Sequence, residues 1–466
     1  MTRKTKTLII SLVILILLGG GYYGSTVWQK KKAAAASPSY TPPQRLGNFE
    51  NYDLVKIEVQ GLALEKNGET WELSYLEGGI PPDGIELDQR QIQLLTYSLT
   101  SVWIDRVVDE EPEDLSVYGL DKPSSWLAIT DSSGAKEEYI LGDMTPSRTS
   151  YYAIEEGNST VYAVSAYQGD NMRFTLDRIR QRALFPAFEP QALSRLRLEF
   201  PETLIDISPK PESFQRHLST FSIHVMNSPY KLTRGVDSEA FYNLLTPLNG
   251  LAITDFVDDH PSSLQPYGLD KPVRIFLDTT EGSLDLLVGD HVDGKRYAKL
   301  ADTPGSSRRS PQGVFTVDGL EPIINVRPFN LVDKFALLIN IDNVDHLSVT
   351  GGERILSVDF QGKGDDGVYF LNGQKTETRS FKNFYQAVIG LLADAEYPGP
   401  NPNPEGGRDI TIEYRLNTPA GGQASITLVP YNRDFYALRQ EGTMEFLISR
   451  NQVRRIYETA DAVVYE

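Results

Sequence analysis

The chain has 466 residues, 40% of them hydrophobic, with 24 Tyr and 19 Phe, a globular composition with length for about three domains. Its 45 Lys and Arg against 63 Asp and Glu give a net charge of −18, and Arg3, Lys4, Lys6, Lys30, Lys31 and Lys32 are the only charges before residue 33. The body is therefore more acidic than the whole, which argues against binding to nucleic acid or to anionic lipid, and the lack of cysteine excludes thiol catalysis, disulfides, thiolate metal sites and a lipid-modified N-terminal cysteine.

Leu8 to Trp28 is 21 residues without a charge, roughly the length that crosses a ~30 Å hydrocarbon core. Aliphatic residues fill its first half, and Tyr22, Tyr23 and Trp28 in its second half suit the membrane interface. The pattern predicts one N-terminal transmembrane helix, with residues 1–32 as an anchor and the body outside the cytoplasm. Lys30, Lys31 and Lys32 separate the apolar run from the small residues Ala33 to Ala36, so a retained anchor is expected rather than a cleaved signal peptide. Residues 33–50, rich in Ala, Ser and Pro, read as a stalk.

In the next stretch, Leu54–Val59 alternates apolar and polar residues as a half-buried strand does, and a strand around Trp71 follows the Asn67-Gly68 turn. Asp88 then reads as the cap of a helix whose stripe is Ile92, Leu95, Leu99 and Val102. An acidic loop, Asp109 to Asp114, leads into Tyr118-Gly119-Leu120-Asp121-Lys122-Pro123, where Gly119 can take a positive φ and Pro123 imposes extended chain on Lys122. Strands follow around Trp126, Ala128 and Thr130, at Glu138–Leu141, at Tyr151–Ile154 and at Val161–Val164, with Trp126 expected on the inward face and Trp103 on the helix beside its apolar stripe. Asp170 to Phe185 reads as a basic amphipathic helix.

The six-residue turn returns letter for letter as Tyr267 to Pro272, at an offset of 149. Without a gap, 14 of the 37 positions from Leu87 to Pro123 are identical at that offset, among them Asp88 with Asp237, Leu95 with Leu244, Asp109 with Asp258 and Leu115 with Leu264. This is a duplication. Asp237 caps the second helix, which carries Phe241, Leu244 and Leu248 and is shortened by Pro247; Leu141-Gly142-Asp143 is echoed by Val288-Gly289-Asp290. A degraded third copy keeps Phe384-Tyr385-Gln386-Ala387-Val388 behind Ser380 as its expected cap, and replaces the turn by Pro398 to Pro404. The predicted architecture is α+β: three tandem units, each a mostly antiparallel sheet packed with one or two helices, behind the transmembrane helix. The expected boundaries are 51–190, 191–336 and 337–466.

The order of capped helix, L-x-x-Y-G-L-D-x-P turn, strand, L-G-D, Tyr-Tyr strand and V-Y-x-V strand resembles the bacterial "domain of unknown function 4340" family. The resemblance covers about residues 50 to 340 well and the remainder weakly. It implies single-span, membrane-anchored proteins built of one or more such units, often encoded beside an ABC-type transporter of the gliding-motility kind. It implies no enzymatic activity and supplies no catalytic residue.

The residues themselves carry little chemistry. The five histidines, His217, His224, His260, His291 and His346, never fall at metal-ligand spacing. No G-x-S-x-G, P-loop, dinucleotide fingerprint or calcium-loop spacing occurs. Asp121, Asp270, Asp143 and Asp290 sit in turns beside Pro and Gly, where Asp is a turn residue. No catalytic, cofactor-binding or metal residue is therefore assigned. The expectation is a membrane-tethered, extracytoplasmic, non-enzymatic binding or accessory protein, whose partners are membrane lipid through Leu8–Trp28 and an ABC-type permease or other envelope protein. The alternative is a cell-wall hydrolase or a glycan-binding module using Trp71, Trp103 or Tyr151.

Overall fold

The computed structural model describes residues 23, 25–26, 44–47, 53–77, 85–214, 222–301, 313–352, 354–400, 407–417 and 422–466. The first sheet opens with a meander, β1 (Leu54–Val59), β2 (Leu62–Asn67) and β3 (Thr70–Leu76). Helix α1 (Gln89–Leu99) follows and buries Ile92, Leu95 and Leu99. Then come β4 (Ile104–Asp109), β5 (Ser125–Asp131), β6 (Lys136–Met144), β7 (Ser150–Glu155) and β8 (Val161–Ser165), closed by α2 (Ala166–Met172) and α3 (Leu176–Ile179). The strands lie antiparallel in the order β3-β2-β1-β5-β6-β7-β8-β4.

The second sheet uses β9 (Leu193–Glu199), β10 (Leu204–Pro209), β11 (His224–Ser228) and β12 (Arg234–Gly235), then α4 (Ser238–Leu245). It continues with β13 (Asp255–Asp258), β14 (Val273–Thr279), β15 (Gly282–Val292), β16 (Lys295–Leu300) and β17 (Val314–Val317), and ends in α5 (Glu321–Ile324) and α6 (Pro328–Leu331). Its order is β12-β11-β10-β9-β14-β15-β16-β17-β13. Asp237 caps α4 by accepting from the Ala240 N–H at 2.8 Å, and the α-helix ends at Leu245, two residues before Pro247.

The third sheet is built of β18 (Val344–Thr350), β19 (Leu356–Gln361), β20 (Val368–Leu371) and β21 (Gln374–Lys375), α7 (Thr378–Ile389), β22 (Ala395–Glu396), β23 (Ile410–Leu416), β24 (Gln423–Pro430), β25 (Phe435–Gln440), β26 (Thr443–Ser449) and α8 (Arg450–Asp461). Its order, β21-β20-β19-β18-β23-β24-β25-β26-β22, repeats that of the second sheet strand for strand. With β12 and β21 set aside, the first sheet follows it too.

These findings correct the expected fold class. The bodies are three antiparallel sheets with few and short helices, none longer than the 12 residues of α7 and α8 among the described residues. Three tandem units are not what forms, either: the chain divides into two compact units, Met1–Pro81 with Gln89–Ile179, and Pro82–Asp88 with Arg180–Glu466. The second unit holds two sheets, fused by buried chemistry. Arg234 reaches from β12 to Glu445 of β26 (Nη2 to Oε2, 2.5 Å) and to Gln440 (2.6 Å), with its guanidinium over the Phe446 ring. Tyr230 packs on Phe446 and donates to Glu396 at 2.6 Å. A buried pair with both partners hydrogen-bonded fixes register where an apolar contact alone would allow slip.

No helix among the described residues is long and apolar enough to cross a membrane, so the expected transmembrane helix finds no support there. Apart from Tyr23, Ser25 and Thr26, the run Leu8–Trp28 lies outside the described residues, as do Ala33 to Ala36 and His217. Three smaller expectations are also corrected. The helix read over Asp170 to Phe185 is two short helices, α2 and α3. The basic residues after them leave the helix to serve as anchors: Arg180 is buried against Asp259 (2.6 Å) and the Phe256 ring (3.6 Å), and Arg182 donates to the Ile253 carbonyl (3.2 Å). The cap of α7 is Glu377, whose carboxylate accepts from the Ser380 N–H at 2.6 Å. Ser380 instead spends its hydroxyl on Glu377 and Val464. Finally, Trp103 lies beyond the end of α1, in a bridge to Arg45.

Burial raises the hydroxyl pKa of Tyr139, Tyr385 and Tyr414, burial being the first cause in each. A phenol whose folded pKa lies above its unfolded value of about 10 stabilises the fold fully below that value, and the contribution is lost as pH rises past it. Absorbance titration at the tyrosinate band should therefore show these three silent in the native protein above pH ~10 and released together on alkaline unfolding. Gradual ionisation of every tyrosine near pH 10, with the fold intact, would contradict their placement.

Candidate functional site

The duplicated residues come together, and they bind one another. Leu115–Tyr118 is a single 3-10 turn capped by Asp114, whose carboxylate accepts from the Ser116 N–H at 2.8 Å. Gly119 follows at φ +68°, and Gly268 at φ +66° closes the equivalent turn Gln265–Tyr267. The Tyr118 hydroxyl donates to Asp109 at 2.8 Å and the Tyr267 hydroxyl to Asp258 at 2.9 Å. Both phenols are held above their usual pKa, the bond to the carboxylate being the first cause. Each ring meets a second tyrosine edge-on at 5.1 Å, Tyr152 and Tyr297. The same two carboxylates cap their own loops, accepting from the Glu111 N–H (3.2 Å) and the His260 N–H (2.9 Å).

Below each turn runs the L/V-G-D strand. A Cβ on Gly142 would stand 2.2 Å from the Tyr118 carbonyl oxygen, and one on Gly289 would stand 2.1 Å from that of Tyr267. Only glycine lets the two backbones come that close. In return Asp143 and Asp290 press their carboxyls against Gly119 and Gly268, where a Cβ would come within 2.5 and 2.4 Å. Leu120 and Leu269 are buried. Asp143 and Asp290 thus line turns, and Asp121 and Asp270 are exposed beside them.

The other residues singled out in the sequence are dispersed. His224 is buried on Phe241 (4.9 Å), which lowers its pKa, while His346 meets Asp359 (Nδ1 to Oδ1, 2.8 Å). Among the described residues no group of three or more His, Asp or Glu is placed to hold a metal ion. Trp71 is buried, its backbone held on both sides by the Gln89 amide at 2.7 and 3.0 Å. Tyr151 is buried too, bonded to Asp170 (3.0 Å) under the Arg173 guanidinium. Neither face is open to a sugar. Trp103 is partly exposed with Arg45 over its ring at 4.9 Å.

Trp126, by contrast, faces outward. Its 41% exposure overturns the expected inward position. The cause is one residue of register: Ser125 pairs with Leu141, whereas Val273 pairs with the equivalent Val288, so Trp126 takes the outward place of Arg274. The extra residue, Ser124, is absorbed by bonds from its hydroxyl to the Leu141 and Gly142 carbonyls at 3.0 and 2.8 Å. A slip of one exchanges the faces of a strand, so Leu127 and Ile129 go inside.

Trp126 borders an open hollow of about 540 Å³ on the outer face of the first sheet, lined also by Lys56, Glu58, Ala63, Tyr75 and Glu77. Tyr75 is 53% exposed there. Lys56 bonds Glu58 (3.2 Å) and Glu65 (3.5 Å), and the Glu58 bond is the first cause that raises its pKa. On the second sheet the corresponding face is a lattice of ion pairs, Arg195–Asp206 and Arg274–Asp285 (both 2.7 Å) and Arg197–Glu199 (3.0 Å). Sequence reasoning also missed a carboxyl pair. Glu138 and Glu156 share a hydrogen bond that lowers the first pKa and raises the second. Two carboxyls in direct contact leave no space for a glycosidic bond between them, which needs a separation of about 5 Å or more.

These features define an antiparallel-sheet scaffold with an aromatic-acidic hollow on the outer face of its first sheet. Residues 80–272 match the family model described as "Domain of unknown function (DUF4340)". The match takes in both copies of the duplicated segment, ends on Pro272 of the second turn, and supports the family resemblance over that stretch. No curated protein and no solved structure matches the chain.

Gly119→Val should lower the melting temperature of the first unit through a positive-φ cost of about 1–2 kcal/mol plus the clash with Asp143. Adding Asp143→Ala should restore the clash portion only. A melting curve unchanged by Gly119→Val would refute the structural role of this turn.

Proposed function

We propose that the protein is a non-enzymatic binding or accessory protein of a bacterial envelope, held at the membrane by Leu8–Trp28 with its sheets outside the cytoplasm. The observation that carries this reading is the use of the duplicated polar residues. Asp109, Asp258, Tyr118 and Tyr267 are consumed in bonds to one another, and Asp143 and Asp290 in packing against the turn glycines. Residues retained twice are thus spent on holding the scaffold, and a scaffold with outward faces of differing chemistry suits contact with a partner. The resemblance to a family found beside ABC-type transporters of the gliding-motility kind points to a permease or another envelope protein as that partner.

A second reading has its own observation. Outward Trp126 and Tyr75 beside Glu58 and Glu77 make a surface on which a sugar ring can stack and hydrogen-bond. The two are separated by three experiments on the full-length protein. Pull-down from detergent-solubilised membranes should recover a permease, and protease added to intact spheroplasts should remove the body. Retention on insoluble cell-wall polysaccharide, lost with Trp126→Ser, would favour the glycan reading. Protection of the body until lysis would overturn the proposed location.

A further inference from the structure

We propose that the outward stripe of α1, Arg90, Leu94 and Tyr97, together with Trp103, rests in the interfacial zone of the bilayer to which the chain is tethered. This inference rests on the membrane-tether reading above and adds which face of the first unit meets the lipid. The stripe is set by helical spacing. Ile92, Leu95 and Leu99 turn to the core, and positions 90, 94 and 97 share the opposite side. Leu94 is 67% exposed and Tyr97 74% exposed, and both are large apolar groups that folding does not require there.

The duplication supplies the control. At the offset of 149, Leu94 and Tyr97 correspond to Asn243 and Thr246, both exposed on or just after α4. The same helix in the same sheet order therefore folds with polar residues at these two places. The apolar pair belongs to the first unit alone.

Charge and chain path choose the occupant. In a strongly acidic protein, Gln89 to Trp103 contains no Asp or Glu and carries Arg90. The acidic repulsion that keeps the rest of the body from a lipid surface is absent along this segment. Trp, Tyr and Arg are the residues of membrane interfaces, where a ring or stem is apolar and its tip is wet. The chain arriving from the apolar run also lands here: Leu46 donates to the Val102 carbonyl, Ile104 to the Gln44 carbonyl, both at 2.8 Å, and the Arg45 guanidinium covers the Trp103 ring. Trp28 and Arg45 are 17 residues apart, a span of at most roughly 60 Å when extended. A tether that enters the body just past the C-terminal end of α1 keeps this helix near the bilayer. Tyr167, 71% exposed, lies on α2, which is bonded to the end of α1 through Gln168 to Ser101 and Asn171 to Ser98, and extends the same chemistry.

The chain has no cysteine, so single labels are clean. A nitroxide at Gln93→Cys, on the exposed side of α1, and another at Asn243→Cys on α4 are compared in the full-length protein. The protein is reconstituted into vesicles of phosphatidylethanolamine with a minor fraction of phosphatidylglycerol. The Gln93 label should be more accessible to dissolved oxygen than to a water-soluble nickel chelate, and the Asn243 label the reverse. Adding Leu94→Asn and Tyr97→Thr, the residues the second copy tolerates, should return the Gln93 label to water-like accessibility with the circular dichroism unchanged. A Gln93 label that is water-like in vesicles that retain the protein overturns this inference and leaves the tether standing. Protein that fails to float with the vesicles overturns the tether reading and this inference together.

Discussion

The fold depends on the approach of two backbones. The carbonyl oxygen of Tyr118 lies where any side chain on Gly142 would begin, and the same is true of Tyr267 and Gly289. That contact sets the turn on the sheet, and the rest of the motif follows from it. Gly119 and Gly268 take a positive φ because the chain must reverse within one residue, and Asp143 and Asp290 fill the space their missing side chains leave. The tyrosines then reach back to Asp109 and Asp258, which hold the acidic loops closed. Three separated stretches of sequence, the acidic loop, the turn and the glycine-aspartate strand, are tied at one point in each of two sheets. This gives Tyr118 and Gly119, and their counterparts Tyr267 and Gly268, a shared structural task.

How much of this was legible depended on the kind of signal. Strand alternation and the helix stripe Ile92, Leu95, Leu99 could be read because burial on one face imposes a period. The duplication could be read because it is a comparison internal to the chain. The face of Trp126 could not, since it depends on one inserted residue, Ser124, whose effect is visible only in the pairing of Ser125 with Leu141. Nor could the end of the helix after Met172, because Arg180 and Arg182 are recruited by a loop about 70–80 residues later in sequence. Glu377 rather than Ser380 caps α7 for a similar reason: the Ser380 hydroxyl has a distant partner in Val464. Contacts made far along the chain override local preference at these positions.

Of the aromatic residues singled out in the sequence, Trp103 is partly exposed and two are enclosed. Trp71 and Tyr151 are buried, with backbone or hydroxyl already bonded, and Trp126 with Tyr75 is what faces outward. The first and second sheets share strand order and turn chemistry, yet differ on their outer faces. One carries an aromatic-acidic hollow and the other a lattice of arginine–carboxylate pairs. Ion pairs of that kind keep a sheet face soluble and contribute little binding energy, whereas exposed aromatic rings anchor partners. Divergence on the outside over identity in the turns is the pattern expected when the scaffold is fixed and recognition is not.

The central claim is that the twice-retained positions hold the fold and the positions found in one copy do the binding. The direct measurement is partner capture from solubilised membranes by two full-length variants matched for expression. One carries Tyr118→Phe with Tyr267→Phe, and the other carries Trp126→Ser. The account predicts that the first is less stable yet retains its partner, and that the second melts like the parent protein and loses it. Loss of the partner in the first variant at full stability, with capture intact in the second, would contradict it.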